Sequence, residues 1–360
     1  MKRVVLILAF AFLALTLMPV LAQESTLTVL CTPQEDWCVA MTQAFEEQTG
    51  IDTNYVRLSS GESLARIRAA KDNPEFSVWW GGPADAFIAA KGEGLLDQYE
   101  SPNAEAITPE YKDPDHYWTG VYVGALGFCS NLDVLEELGV EPPTSWDDLL
   151  APELQGFVAM AHPATSGTAF TTFWTIVTLK ADAMEAAEAG SGYDEEGAPT
   201  EDAVNAAFEY FAALNNNILQ YTRSGSAPGT LAGQGEIGVA IIFSHDCVKL
   251  QQEGFEGILT TTFPEEGTGY EIGGMGIIAN GPEPEAARLW YDWALTAAAQ
   301  EIGPTVNSLQ LPTNPDAAIS ELAVNLSEIK VVNYNFVAAG TNRTAIVERF
   351  DAEIASAPTE

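Results

Sequence analysis

The sequence predicts an α/β protein of two lobes, each a mainly parallel sheet flanked by helices, joined by strands that cross between the lobes as a hinge. Three observations predict it. Short apolar strands alternate with helix-patterned segments from Leu27 to Gly82, and such alternation builds parallel sheets covered on both faces. Two glycine-containing apolar runs, Tyr117–Cys129 and Tyr270–Ala279, are long enough to carry the chain from one lobe to the other. The 360 residues suffice for two ordinary domains.

The elements follow in order. Met1-Lys2-Arg3 precedes an apolar run from Val4 to Ala22 that ends in small residues, the order of a secretory leader cleaved before Gln23. A retained anchor is the alternative, because the run is close to bilayer-spanning length. Leu27–Cys31 reads as a strand. Glu35–Thr49 places Trp37, Met41, Ala44 and Phe45 at helical spacing and stops at Gly50. Ile51–Leu58 reads as a strand, and Ser59-x-x-Glu62 is a capping box opening a helix that continues from Leu64 to Lys71. Phe76–Trp80 is a strand closed by Gly81-Gly82. In the second lobe, Phe157–Ala161 reads as a strand and Thr168–Lys180 as a buried helix. Ala181–Thr200 reads as an acidic exposed connection, Thr200–Asn215 as a helix, Ile237–Phe243 as a strand followed by a helix over Cys247–Gln252, and Pro282–Ile302 as one amphipathic helix. The expected division is a leader at 1–22, a first lobe of 23–127 with 273–305, and a second of 128–272 with 306–360.

Formal charge is −36, from 15 basic and 51 acidic residues. That argues against nucleic acid and anionic membrane surfaces as partners. Four cysteines in an exported chain favour disulfides over metal binding. Three pairings are possible; Cys31–Cys38 with Cys129–Cys247 is preferred because each pair then lies in one lobe.

Three Ser/Thr–Gly segments stand where helices should begin: Leu58–Ser63, Ala164–Thr168 and Arg223–Pro228. A helix start offers unpaired N–H groups and partial positive charge, glycine admits close approach, and hydroxyls add donors. One segment is a cap; three suggest a pocket around a phosphate-like group. The candidates here are Ser59, Ser60, Gly61, Ser166, Gly167, Thr168, Ser224, Gly225 and Ser226. His245 and Asp246 end a buried strand, where ligand groups belong in such sheets; the plainer reading is a polar strand end. Glu271 opens a crossover strand and could accept sugar hydroxyls, or is a solvated turn acid. Trp80 with Gly81 could reach the cleft and pack on a sugar face, although tryptophans in strands are usually core. Arg223 could pair with phosphate or lie on the surface. No nucleophile signature or metal-binding motif is present, so neither catalysis, metal nor cofactor is expected.

An ordered set of motifs then carries a resemblance. Thr49-Gly50 precedes the second strand. Val78–Gly82, Ala125–Asn131, His162–Ala169, Tyr221–Pro228, Phe243–Asp246, Phe263–Gly274 and Leu311–Pro315 follow. Together the chain resembles the periplasmic solute-binding proteins of ABC importers, in the ferric-iron-binding branch of the type II fold. The resemblance implies a monomer outside the cytoplasmic membrane that hands a small anionic solute to importer membrane subunits. Ferric-ion members use two adjacent tyrosines, and no Tyr-Tyr pair exists here. The hexose-phosphate binders match better, which implies phosphate on Ser59, Ser60, Ser166, Gly167, Thr168, Ser224, Gly225 and Ser226. Sugar hydroxyls would then meet His245, Asp246 and a glutamate: Glu265, Glu266 or Glu271. Ferric ion or an aminoalkylphosphonate is the alternative ligand, and a secreted phosphoester hydrolase the alternative class.

Overall fold

The computed structural model describes residues 26–358; the expected leader at 1–22 lies outside the described residues. The first half of the molecule alternates Thr26–Cys31 (β1), Glu35–Thr49 (α1), Asp52–Arg57 (β2), Ser60–Ala69 (α2), Val78–Pro83 (β3) and Ala84–Gly92 (α3), followed by the short Leu96–Asp97 (β4). β1 lies between β2 and β3, parallel to both. Thr119–Asn131 (β5) then leads through Leu132–Leu138 (α4) into the second half. There Val158–Ala161 (β6), Gly167–Ala187 (α5), Glu201–Leu214 (α6), Ile218–Thr222 (β7), Ala227–Gly233 (α7), Val239–Phe243 (β8) and Ser244–Leu250 (α8) repeat the pattern. β6 is parallel to β7 and to β8. Leu259–Thr262 (β9) and Tyr270–Ile278 (β10) return the chain. Pro284–Ala294 (α9), Ala297–Gln300 (α10), Ile302–Thr305 (α11), Leu311–Pro312 (β11) and Phe336–Glu353 (α12) complete it.

The sheet order is β2-β1-β3-β10-β5-β8-β6-β7, so the strands are parallel at the flanks and antiparallel in the middle. β5 belongs to both halves. Thr119–Ala125 pairs with β10, and Leu126–Asn131 pairs with β8 and β9. The partner therefore changes between Ala125 and Leu126, in the middle of one continuous, fully buried strand.

Each half has its own core. In the first, Trp37 meets Trp80 edge-on at 5.0 Å, and Phe45 packs on Trp290 and Trp293 of α9. In the second, Phe173 of α5 stacks on Phe211 of α6 at 5.0 Å, and both rings meet Phe350 of α12. α12 also touches the first half, where Arg343 pairs with Asp85 of α3 in full burial and covers Phe170 of α5 at 4.3 Å. Burial raises the Asp85 carboxyl to about 6 in spite of the Arg343 charge that opposes it.

Both disulfides have the expected pairing, Cys31–Cys38 and Cys129–Cys247. α3, β7 and α12 have no counterpart in the sequence reading, and two segments that have one differ in extent. α5 runs on to Ala187, because Ala181-Asp182-Ala183-Met184-Glu185-Ala186-Ala187 contains mostly strong helix formers. The segment expected as one helix over Pro282–Ile302 holds two, α9 and α10, and the first residue of α11; α9 and α10 are separated where the Thr296 side chain accepts the Ala299 N–H and starts a new turn. Among the described residues no helix is long and apolar enough to cross a membrane.

Candidate functional site

The carboxyl ends of the six parallel strands β1, β2, β3, β6, β7 and β8 all run into loops that line a single cavity. It leaves only a small volume open to water-sized molecules, about 60 Å³. Its two walls are chemically unlike.

One wall is made of helix starts and hydroxyls: Ser59 and Ser60 at α2, Ser166, Gly167 and Thr168 at α5, and Ser224, Gly225 and Ser226 before α7. Ser59 caps α2, and its N–H donates to Glu62 Oε2 at 3.3 Å. Ser166 caps α5, accepting the Ala169 N–H at 3.4 Å. The three segments interlock. Thr165 Oγ1 donates to the Arg223 carbonyl at 2.9 Å, and Ser59 Oγ to the same carbonyl at 3.4 Å. The glycines are required by this approach: a Cβ on Gly225 would sit 2.0 Å from Thr168 Oγ1, and one on Gly167 would sit 2.7 Å from Ser60 Oγ. Arg223 spans the rim to Glu62, its Nε donating to Oε1 at 2.9 Å. Burial raises the Glu62 carboxyl, but the hydrogen bonds from Arg223 and Ser59 outweigh that and hold it below its ordinary value.

The other wall carries titratable groups. α8 begins at Ser244, so His245 and Asp246 lie in its first turn. The His245 ring stacks on Phe243 with centroids 5.4 Å apart, and its Nε2 is 3.9 Å from Asp246 Oδ2. Its Nδ1 is buried without a hydrogen-bond partner. Burial lowers the imidazole pKa, and Asp246 offsets this only partly. Glu271 stands on β10 opposite Gly124 of β5. A side chain on Gly124 would collide with the imidazole, its Cβ 2.8 Å from Nδ1. Glu271 is 3 % exposed; burial first, then the charges of Asp246 and Asp85, push its carboxyl well above the ordinary carboxylate value. That favours the protonated form, which donates a hydrogen bond as well as accepting one. Glu265 and Glu266 are exposed, and Glu266 is engaged by Ser145, so Glu271 is the one of the three that meets the cavity.

Eleven of the fourteen candidate residues thus line one space, and three do not. Trp80 is 1 % exposed and is held between Trp37 and Trp290, because successive residues of β3 face opposite sides and Trp80 turns toward α1 and α9. Gly81 faces the ring of Pro33, 2.4 Å from where its Cβ would be; the neighbouring Gly82 reaches the cavity instead. Gly61 donates its N–H to the Thr165 carbonyl at 2.9 Å, and its missing side chain admits Ala164. It joins the halves rather than lining the pocket. The sequence reading missed Gln34, Tyr122 and Gln310, all on the lining, and Arg57, a scarce cation in this acidic chain, lies there as well. Arg57 ends β2 and carried a positional signal, whereas Tyr122 lies inside β5 and carried none. Gln34 and Gln310 are single polar residues in loops and carried none.

Two α/β halves hung on a shared strand, with a polar cavity at the strand ends, make the two-lobed architecture of periplasmic binding proteins. A family model described as bacterial extracellular solute-binding protein matches residues 40–329, and the chain belongs to that family, the substrate-binding proteins of ABC transporters. Such proteins deliver small solutes to importer membrane subunits, and their family members are periplasmic and are not enzymes. An uncharacterized protein of Haemophilus influenzae is 33% identical over 339 residues, 92% of this chain and 91% of that one. The periplasmic binding protein AfuA of Actinobacillus pleuropneumoniae, solved with exogenous fructose-6-phosphate bound, is 34% identical with a TM-score of 0.82, covering 91% of this chain and 98% of that one. The periplasmic binding protein P5PA is 30% identical at a TM-score of 0.81, covering 92% and 100%. A ferric binding protein from Campylobacter jejuni shares the fold at 18% identity and a TM-score of 0.69, covering 91% and 98%.

Proposed function

We propose that this protein captures a sugar monophosphate by closing its halves on it and passes the solute to an ABC importer. The leader at 1–22 would be removed on export, and the protein would act as a monomer in the periplasm or outside the cell. The observation that carries the reading is the division of one cavity into a hydroxyl-and-amide wall and an acid–imidazole wall. A phosphate monoester with a polyol body has that same division. The phosphate takes the Ser59–Ser60, Ser166–Thr168 and Ser224–Ser226 groups, where helix N-termini and short hydrogen bonds favour an anion. The hydroxyls take His245, Asp246 and Glu271.

The formal charge of −36 does not oppose this. Exposed charges are screened beyond about 8–10 Å at ordinary salt, whereas the cradle donors act in direct contact. The fructose-6-phosphate in AfuA supports the ligand class, given 34% identity over nearly the whole chain. Closure is favoured by as much as the solute binds the closed form better than the open one.

Thermal shift tests the reading with glucose 6-phosphate, fructose 6-phosphate, inorganic phosphate, 2-aminoethylphosphonate and ferric ion. At a hundred times Kd a ligand adds about 2.7 kcal/mol, so a hexose phosphate should raise Tm by roughly 4 °C in a chain of this length. Stabilisation by ferric ion without stabilisation by either hexose phosphate overturns it. A larger shift with the aminophosphonate reassigns the acid wall to an ammonium group.

A further inference from the structure

We infer that Gln310 is a specificity-determining residue: it presents a carbonyl oxygen to the cavity, oriented through Gln34 by Asp246, that accepts a hydrogen bond from a solute hydroxyl. The inference rests on the sugar-phosphate reading and adds which partner donates.

The orientation follows from three side chains in a row. Gln34 caps α1 in the first half, and its amide donates to Asp246 Oδ1 of α8 in the second. A carboxylate only accepts, so the atom facing it is Nε2, and Gln34 Oε1 must point the other way. There Oε1 meets Ser308 Oγ and Gln310 Nε2, each at 3.5 Å. Two acceptors cannot pair, so Gln310 must also turn its Nε2 toward Gln34. That leaves Gln310 Oε1 buried without a hydrogen-bond partner, on a residue that is 6 % exposed and lines the cavity. A buried acceptor left unmet costs free energy that a ligand donor recovers.

The row is braced at both ends. The Cys31–Cys38 disulfide brackets the loop that carries Gln34, and Cys247, the residue after Asp246, is bonded to Cys129 of β5. Gln310 adjoins β11, whose Leu311 and Pro312 pair with β5. The backbones beside Asp246 and Gln310 are thus tied to β5 and that of Gln34 to β1, so the row joins the two halves, and a change at Asp246 reaches Gln310 by releasing Gln34.

Isothermal titration of the wild-type protein with glucose 6-phosphate and its singly deoxygenated and singly fluorinated analogues tests this. Fluorine accepts weakly and cannot donate. At one ring position, both the deoxy and the fluoro analogue should therefore lose about tenfold in affinity. Gln310→Leu should lose a similar factor with the parent sugar, cease to distinguish the parent from those two analogues, and bind inorganic phosphate within about twofold of wild type. Gln34→Leu, which keeps Gln310 but frees its orientation, should lose about threefold. Undiminished discrimination in Gln310→Leu overturns the inference and leaves the function standing, as does a fluoro analogue that binds like the parent at every position. If Gln310→Leu does not fold, Gln34→Leu decides: its discrimination between the parent and those two analogues should shrink at that one ring position, and undiminished discrimination there overturns the inference. Failure of wild type to bind any hexose phosphate overturns the function and this inference together.

Discussion

The two walls of the cavity solve opposite problems. The hydroxyl wall at Ser59, Ser166 and Ser224–Ser226 offers hydrogen-bond donors that carry no net charge. Its donors are backbone amides and side-chain hydroxyls, packed so closely that glycine is obligatory at Gly167 and Gly225. The acid–imidazole wall keeps His245 and Glu271 buried, one with its pKa lowered and the other with its pKa raised. One wall is silent to pH, whereas the other stores unfavourable burial that a ligand can relieve. In a chain of charge −36, the proposed recognition of an anion would rest on donors in direct contact, which screening does not weaken as it does the net field.

The largest expected effect breaks the first wall. Ser166→Asp keeps a competent cap for α5 but sets a carboxylate in the anion cradle. Affinity for a hexose phosphate should fall more than about a hundredfold, since like-charge contact costs several kcal/mol, with Tm within a few degrees of wild type. Retained affinity in a titration would mean that the segment is only a cap.

A smaller effect sharpens the second wall. The raised Glu271 carboxyl means that folding favours its protonated form. Its contribution is complete below the ordinary carboxylate pKa and is lost as pH rises through the raised value. Glu271→Gln should therefore flatten the decline of apo stability toward alkaline pH and stabilise the protein there by about 1–3 kcal/mol, the scale of an ill-satisfied buried polar group. His245 has the opposite sign: its stabilisation is present above the ordinary imidazole value and lost as pH falls through the lowered one. Urea melts across pH 5–8, about the range in which imidazole titrates, read both slopes. A pH-independent difference between wild type and the Gln variant would remove Glu271 from this account.

The smallest effect is at the rim. Arg223 is 43 % exposed at its side chain and pairs with Glu62 across the opening. Arg223→Gln should weaken solute binding by no more than about fivefold, as exposed pairs contribute up to about 1 kcal/mol. That loss should shrink in 0.5 M salt, where screening is within about 4–5 Å; a salt-independent loss of a hundredfold would put Arg223 on the phosphate itself.

The sequence made the first wall legible and the second only in part, for physical reasons. A Ser–Gly step at a helix start is a local pattern, and capping is a local interaction, so Ser59, Ser166 and their neighbours could be found without knowing the fold. His245 and Asp246 were found because a buried strand ended there. Gln34 meets Asp246, Ser308 and Gln310 at sequence separations far beyond any local pattern. Trp80 was misplaced for the converse reason: alternation in β3 decides its face, and the core that receives it comes from α1 and α9. α12 had no clear signature either. Val337, Thr341, Thr344, Ile346 and Val347 are β-branched, which disfavours helix, and its packing against α3, α5 and Phe211 decides the outcome.

In the proposed closure β5 would be both axle and floor. Ala125, where its pairing changes sides, lies beside Gly124, which touches His245 and faces Glu271, and three residues from Tyr122, whose hydroxyl accepts the Gly82 N–H at 2.9 Å. In any rotation about that strand, points near the axis travel least and the lips at Glu62 and Arg223 travel farthest. The deepest contacts would be the last to separate and the first to reform. A solute could then rest on the floor of an ajar molecule before the lips meet, so that capture does not require every contact to form at once.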